Sequence, residues 1–244
     1  MSVNSLMNEE VNFKRPLKED IFDALLEKII SGQYKPGKWL RQEEIASQLD
    51  VSMTPVREAL DLLAAAGLAE RVPYRGVRVP QPLHEEIAES YAMRLSLEKV
   101  VSRAAALNRE QAQVDALKRI VSQSKKLIRL DEMSASRKLS GDFHLTVAEA
   151  TNNSMLARVY KMVMNSFPDW LLYQAMFEHP DELQQSVKEE YQEHLGIAEA
   201  IGVQDAKLAE QRSTEHILDI GRQIVLYLGV PQELLDKKTK QLGL

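Results

Sequence analysis

The chain has no cysteine among its 244 residues, which excludes a disulfide framework and any thiolate metal site. It has no apolar run long enough to cross a bilayer and no signal-peptide h-region, so a soluble cytoplasmic protein is expected. Catalytic signatures are missing too: there is no H-E-x-x-H, no nucleophile-elbow glycine pattern and no phosphate-binding loop. Nor is there an excess of positive charge. The net charge is −5 and residues 1–80 carry 11 Lys/Arg against 12 Asp/Glu, so bulk charge does not point to nucleic acid. A hydrophobic content of 44% suffices for substantial buried cores, and the length fits one large domain or two smaller ones.

The most organised stretch is 50–80. Ser52 is placed to cap a helix N-terminus, and Pro55 suits the first turn, where backbone N–H groups have no intrahelical partner. Val56, Ala59, Leu60 and Leu63 recur on one helical face and leave Thr54, Arg57 and Asp61 off it. Gly67 ends this helix. Residues 68–72 and 77–79 then read as short strands around the basic tip Pro73-Tyr74-Arg75-Gly76. Arg71, Arg75 and Arg78 have only Glu70 beside them in sequence. Upstream, residues 1–12 show no period and are expected to fray. A helix starts at Pro16, with Ile21, Ala24, Leu25, Lys28 and Ile29 in helical register, and stops at Gly32. After the turn Tyr34-Lys35-Pro36-Gly37 a short helix is expected over 42–49, with Ile45, Ala46 and Leu49 inward. Two helices joined so closely, the second opening with polar residues, have the geometry that places a helix in the major groove.

Pro80 and Pro82 bracket a short, semi-stiff hinge. It divides a domain at 12–80 from one at 83–230, with 231–244 as a C-terminal tail. Helices are expected at 85–107, 111–130, 134–150, 154–178, 182–201 and 205–228, and Pro168 should kink or break the fourth near Phe167. The expected fold class is mainly α: a winged helix-turn-helix with a small β-hairpin wing, then an all-α bundle of about six or seven helices. Three histidines of that bundle can meet. His194 precedes Gly202, and His216 follows Asp205, a candidate N-cap; at 1.5 Å per residue the two stand ~12 and ~16 Å from the same turn. His144 sits beside Phe143 and Val147 on a helix whose apolar face enters the same core. His84 and His179 lie near element ends and read as surface residues.

The segment PGKWLRQEEIASQLDVSMTPVREALDLLAAAGLAE, followed by YRGVRV, resembles the winged helix-turn-helix of GntR-type bacterial transcription regulators. The resemblance implies that Arg41 and Arg57 occupy phosphate- or base-contacting positions. It implies that Thr54 and Pro55 open the recognition helix after Ser52, and that Arg75 and Gly76 form the wing tip entering the minor groove. Met53 departs from the pattern, since the family usually has an arginine there; losing that guanidinium removes a bidentate guanine contact and alters the sequence read. From MRLSLE at 93–98, through GDFH and Asn153, to EYQEHLGIAEAI and STEHI, the second half resembles the FCD ligand-binding domain of the FadR-like branch. In many such relatives three histidines and an aspartate bind a divalent metal above an effector pocket. The histidine positions are His144, His194 and His216 here, and the aspartate position is Ser140. Asp142 is no substitute, because two residues from His144 is about 200° around a helix. Three neutral imidazoles can still hold a zinc- or nickel-like ion with water in the open positions, but a ligand and a compensating charge are lost. Arg94 matches a pocket-facing position, where it would pair with an effector carboxylate; the alternative is a surface salt bridge with Glu98 at i+4.

The expectation is a ligand-responsive transcriptional regulator, with repression as its expected sense, that binds a palindromic double-stranded DNA operator as a homodimer. Its effector would be a small organic acid or related metabolite held by Arg94, Ser140, His144, His194 and His216. It is not expected to be an enzyme. Two alternatives are a metal-dependent hydrolase that uses the three histidines with Glu149 or Glu190 as base, and a winged helix that serves protein interaction, which failure of sequence-selective DNA binding would favour.

Overall fold

The helical periodicities become eleven helices and one two-stranded hairpin in a computed structural model that describes residues 16–127 and 132–244. The segment 1–12 and the end of the helix expected over 111–130 lie outside the described residues. No helix among those described is long and apolar enough to cross a membrane.

In the first domain α1 (Leu17–Ile30) buries Ile21, Leu25, Leu26, Ile29 and Ile30 against α3 (Met53–Ala65), whose Val56, Ala59, Leu60 and Leu63 are fully buried. Between them, α2 (Gln42–Leu49) ends on Asp50 in the left-handed region, at φ 52°, and α3 follows within three residues. Ser52 holds the N-cap position with extended backbone, but its side chain makes no capping hydrogen bond, contrary to expectation. Pro55 removes one of the two donors such a cap could use. It stands at the third helical position, one of the two whose N–H a serine cap would bind, and it has no N–H. The strands β1 (Glu70–Val72) and β2 (Gly76–Arg78) pair antiparallel with Arg71 opposite Val77. β1 is shorter than the expected 68–72, and β2 is as long as expected but begins one residue earlier. The sheet is instead widened by Trp39, which bridges to Arg78, with Leu40 N–H donating to the Val77 carbonyl at 2.8 Å.

The second domain is built on α4 (His84–Asn108), followed by α5 (Gln111–Ser124), α6 (Met133–Glu149), α7 (Ser154–Ser166), α8 (Asp169–Met176), α9 (Pro180–Gly202), α10 (Ala206–Leu228) and α11 (Gln232–Gln241). Pro168 breaks the expected 154–178 helix into α7 and α8. Asp205 caps α10 as expected, accepting from Leu208 N–H at 2.9 Å. The supposed tail at 231–244 is a correction: α11 buries Leu235, and Lys238 Nζ donates to Glu85 and Glu89 of α4 at 2.7 Å each. With α7, α8 and α11 separate, the bundle has eight helices among the described residues, not six or seven. α10 runs closely along α4, and a Cβ at Gly221 would lie 2.5 Å from the Tyr91 hydroxyl.

The two domains share a core. Met133, Trp170, Met176, Leu183 and Val187 of the bundle cluster with the apolar faces of α1 and α3. Gln174 Nε2 of α8 donates to the Ile29 carbonyl at 2.5 Å, and Asn165 Nδ2 donates to the Ala65 carbonyl at 2.8 Å. Gly67, at φ 71°, lets the chain pass so near that a Cβ there would lie 1.8 Å from the Asn165 carbonyl oxygen.

Candidate functional site

One face of α3 is core, so the other is presented outward: Ser52, Met53, Thr54 and Arg57 are exposed and Pro55 is half-buried. A groove of about 440 Å³ runs between the start of α3 and the wing, lined by Arg41, Met53, Arg75 and Gly76 together with Trp39. The structure therefore gathers Arg41, Met53, Arg75 and Gly76 around one concavity and sets Thr54 and Arg57 on the adjoining helix. The wing tip is a turn in which Arg75 N–H donates to the Val72 carbonyl at 3.0 Å, with Tyr74 at φ 62° in a position that favours glycine. Tyr74 is fully exposed. Arg71 is paired with Asp61 of α3, not left beside Glu70 alone, and Arg78 Nε bonds Glu70 at 2.5 Å. Arg75 pairs with neither acid; its guanidinium lies 5.4 Å from the Trp39 ring centroid, a cation–π backing that leaves its charge facing solvent. Sequence reasoning missed Trp39 and Tyr74. The signal for Trp39 was a lone aromatic beside a basic run, which becomes informative only once the hairpin folds back to it.

In the bundle, α6, α9 and α10 bring His144, His194 and His216 together, with candidate ligand atoms all within 4.8 Å of one another. All three are buried. Glu98 of α4 fixes His144 through Nδ1 at 3.0 Å and is itself held by the Tyr160 hydroxyl at 2.5 Å. Glu193 fixes His216 through Nδ1 at 2.7 Å, and Phe143 stacks on His194 with centroids 4.1 Å apart. Nε2 of both His194 and His216 has no hydrogen-bond partner. Burial is the main reason all three imidazoles are held below their ordinary pKa, with His216 at about 4, so the cluster is a set of neutral nitrogen lone pairs. Burial would raise Glu98, but His144, Arg94 and Tyr160 outweigh it and keep the carboxylate ionised. Burial, then Glu190 and Glu189, push Glu193 up to about 7.

Of the three histidines only His216 lines the neighbouring cavity of about 890 Å³, whose wall also includes Arg94, Ser140, Phe167, Leu172 and Tyr173; His144 and His194 lie behind it. Arg94 is buried: Nη2 is 3.1 Å from His144 Nε2, the guanidinium lies 4.8 Å from the Phe167 centroid, and Nε is 3.9 Å from Glu98. The i+4 pair with Glu98 therefore exists, but in the buried interior and not on the surface. Ser140 lines the cavity and donates to Glu190 at 2.5 Å. Asp142 is exposed, as its helical angle required, and so are Glu149, His84 and His179. Tyr160, Phe167 and Glu193 were not singled out beforehand, and Glu98 was named only as the i+4 partner of Arg94; Glu98 and Glu193 contact their histidines, Tyr160 contacts Glu98 and Phe167 contacts Arg94, each from a separate helix or turn, where sequence spacing carries no signal.

Comparison with known proteins gives matches over both halves. Residues 17–79 match the family described as bacterial regulatory proteins, gntR family, and residues 86–219 match the FCD domain. The chain is 29% identical to the probable D-xylose utilization operon transcriptional repressor of Paenarthrobacter nicotinovorans, over 80% of this chain and 83% of that one. It is 26% identical to the Uxu operon transcriptional regulator of Escherichia coli K12, over 94% and 95%. In fold it resembles McbR/YncC of E. coli, with a TM-score of 0.64 at 20% identity over 88% of this chain and all of that one.

Proposed function

The chain belongs to the GntR family of bacterial regulatory proteins and carries the FCD domain, and from that premise we propose that it is a cytoplasmic transcriptional repressor, active as a homodimer, whose operator affinity is set by a small organic acid bound beneath Arg94 and the three histidines. The DNA-binding part of this reading rests on the exposed start of α3 and the Arg75 wing. The effector part rests chiefly on the cavity wall, where the buried Arg94 guanidinium and the unpartnered Nε2 of buried His216 meet.

The donor set fits a divalent transition metal. Three neutral imidazoles converge, His144 and His216 have their Nδ1 atoms tied to carboxylates, and the Nε2 atoms of His194 and His216 lack other partners. Bound there, such an ion would supply a Lewis-acidic site for an acid's carboxylate. Arg94 now spends Nη2 on His144 Nε2; once that nitrogen is committed elsewhere, the guanidinium is left to pair with the acid. The acidic rim, with Glu182, Glu189, Glu190 and Glu193, suits hydroxyl donors on the same ligand. One relative is named for D-xylose utilization, which supports hydroxyl groups on the ligand. The response reaches DNA through α8, because Leu172 and Tyr173 line the cavity while Trp170 and Gln174 are fastened to the first domain.

The test screens hydroxylated and simple organic acids by thermal shift and then measures operator binding with each hit, since an effector must distinguish two DNA-affinity states. An acid that raises the melting temperature should change operator affinity in the wild type and not in Arg94→Ala. Equal responses from wild type, Arg94→Ala and His216→Ala would overturn the pocket assignment.

A further inference from the structure

We propose that Glu190 is the carboxylate ligand of this centre, joining His144, His194 and His216 around one divalent transition-metal ion, with Ser140 and Tyr173 as the hydroxyls that aim it. The inference rests on reading the histidine cluster as a metal site and assigns what that reading leaves open. Glu190 lies on α9 one turn before His194, so both side chains leave the same helical face. Its Oε1 is 3.9 Å from His194 Nε2, an atom that is buried and has no hydrogen-bond partner. Bonds of ~2.0–2.2 Å place neighbouring donors about 3 to 3.5 Å apart, so Oε1 stands little farther from His194 Nε2 than two donors on one ion would.

The other carboxylates near the site already have work. Glu98 is taken by His144 Nδ1 and Tyr160, Glu193 by His216 Nδ1, and Asp169 by Arg137 at 2.7 Å. Glu98 and Glu193 therefore act as orienting partners of ligand imidazoles. Glu190 takes its hydrogen bonds from hydroxyls: Ser140 Oγ donates to Oε1 at 2.5 Å and Tyr173 Oη to Oε2 at 3.2 Å. A carboxylate oxygen has two acceptor sites, so both bonds leave room for an ion. The serine on α6 thus does not replace a ligand; it holds one that comes from α9. Charge agrees. Glu98, Glu190 and Glu193 all stand beside the cluster, an acidic setting suited to a divalent cation.

Tag-free protein, stripped with chelator and titrated with Co²⁺ alone and with Zn²⁺ in competition, tests this by absorption spectrum and affinity. Wild type should bind one ion per chain. Glu190→Gln, an isostere, should weaken binding by more than the 10- to 100-fold typical of losing an orienting group and should change the Co²⁺ bands, whereas Ser140→Ala should stay within about that range. Ser140→Asp added to Glu190→Gln should regain affinity, which also shows that the single variant is folded. Equal Co²⁺ affinity and identical bands in wild type and Glu190→Gln would overturn the proposal. So would absence of stoichiometric binding in the wild type while His216→Ala still alters the operator's response to an acid; in that case the pocket assignment survives and the metal centre does not. Loss of Co²⁺ in Glu190→Gln beside an unchanged acid response in His216→Ala would support the ligand and refute the effector pocket.

Discussion

Arg57 and Arg75 are both exposed arginines of the first domain, yet their surroundings give them different work. Arg57 projects from the outer face of α3, the helix proposed to enter the major groove, where a guanidinium can bind a base edge through two bonds. Arg57→Ala should therefore weaken specific operator binding by roughly 1–3 kcal/mol while leaving the domain's melting temperature unchanged. Arg75 stands at the wing tip, backed by Trp39, and its natural partner is phosphate. Arg75→Ala should reduce affinity evenly across sequences and lower the slope of log K against log salt by about 1. A titration of operator and scrambled DNA at several salt concentrations separates the two; a loss of discrimination in Arg75→Ala would refute the assignment. At this scale the histidines were legible in the sequence because turn counting places His194 and His216 at similar distances from the loop between their helices. The residues that orient them were not. Glu98 reaches His144 from 46 residues away and Glu193 reaches His216 from 23, and no periodicity links positions on separate helices.

Among the elements, α8 has the most divided allegiance. It is eight residues long, with one side on the cavity and the other in the core of the DNA-binding domain. Its existence was half legible. Pro168 forecast the break, but what α8 touches depended on packing. The helix α11 was missed altogether, because ten mostly polar residues offer only a short apolar stripe and gain stability from docking on α4 and not from propensity. The contact near α8 yields a prediction through Gly67. An alanine there would need a strained left-handed backbone and would set its Cβ 1.8 Å from the Asn165 carbonyl oxygen, so Gly67→Ala should force the domains apart. Calorimetry should then resolve two unfolding transitions where the wild type shows one. Gln174→Ala is the milder probe: it removes the donor to the Ile29 and Tyr34 carbonyls, and a cost of about 0.5–1.5 kcal/mol is expected with a single transition retained. If Gly67→Ala melts as one unit at the wild-type temperature, the domains are not held through this contact.

For the whole molecule the decisive feature is that α4 is apolar on two sides. Its inner side carries Ile87, Tyr91, Leu95, Val101 and Ala105 into the bundle. Its outer side exposes Met93, Val100 and Leu107, each seven residues from the next, at 40%, 53% and 57%, with Leu97 and Ala104 half-buried between them. Neighbouring α7 repeats the pattern with Met155 and Met162, exposed at 61% and 63%. A seven-residue apolar repeat is the seam of helix-on-helix association, and an apolar face of this kind on an otherwise charged chain calls for cover. A second copy is the natural cover, since one recognition helix reads only a few base pairs and useful specificity requires two on a twofold site. Sedimentation velocity should therefore give twice the chain mass of 27.7 kDa. Val100→Glu and Met162→Glu would each place an acid in the seam. Because both positions are exposed in the single chain, folding stability should change by no more than about 0.5 kcal/mol. The variants should sediment as monomers and bind a palindromic operator at least about tenfold more weakly, because the second half-site is no longer engaged by a linked partner. A dimer that persists in both variants would place the interface elsewhere, and a wild-type monomer that binds the palindrome tightly would remove the need for one.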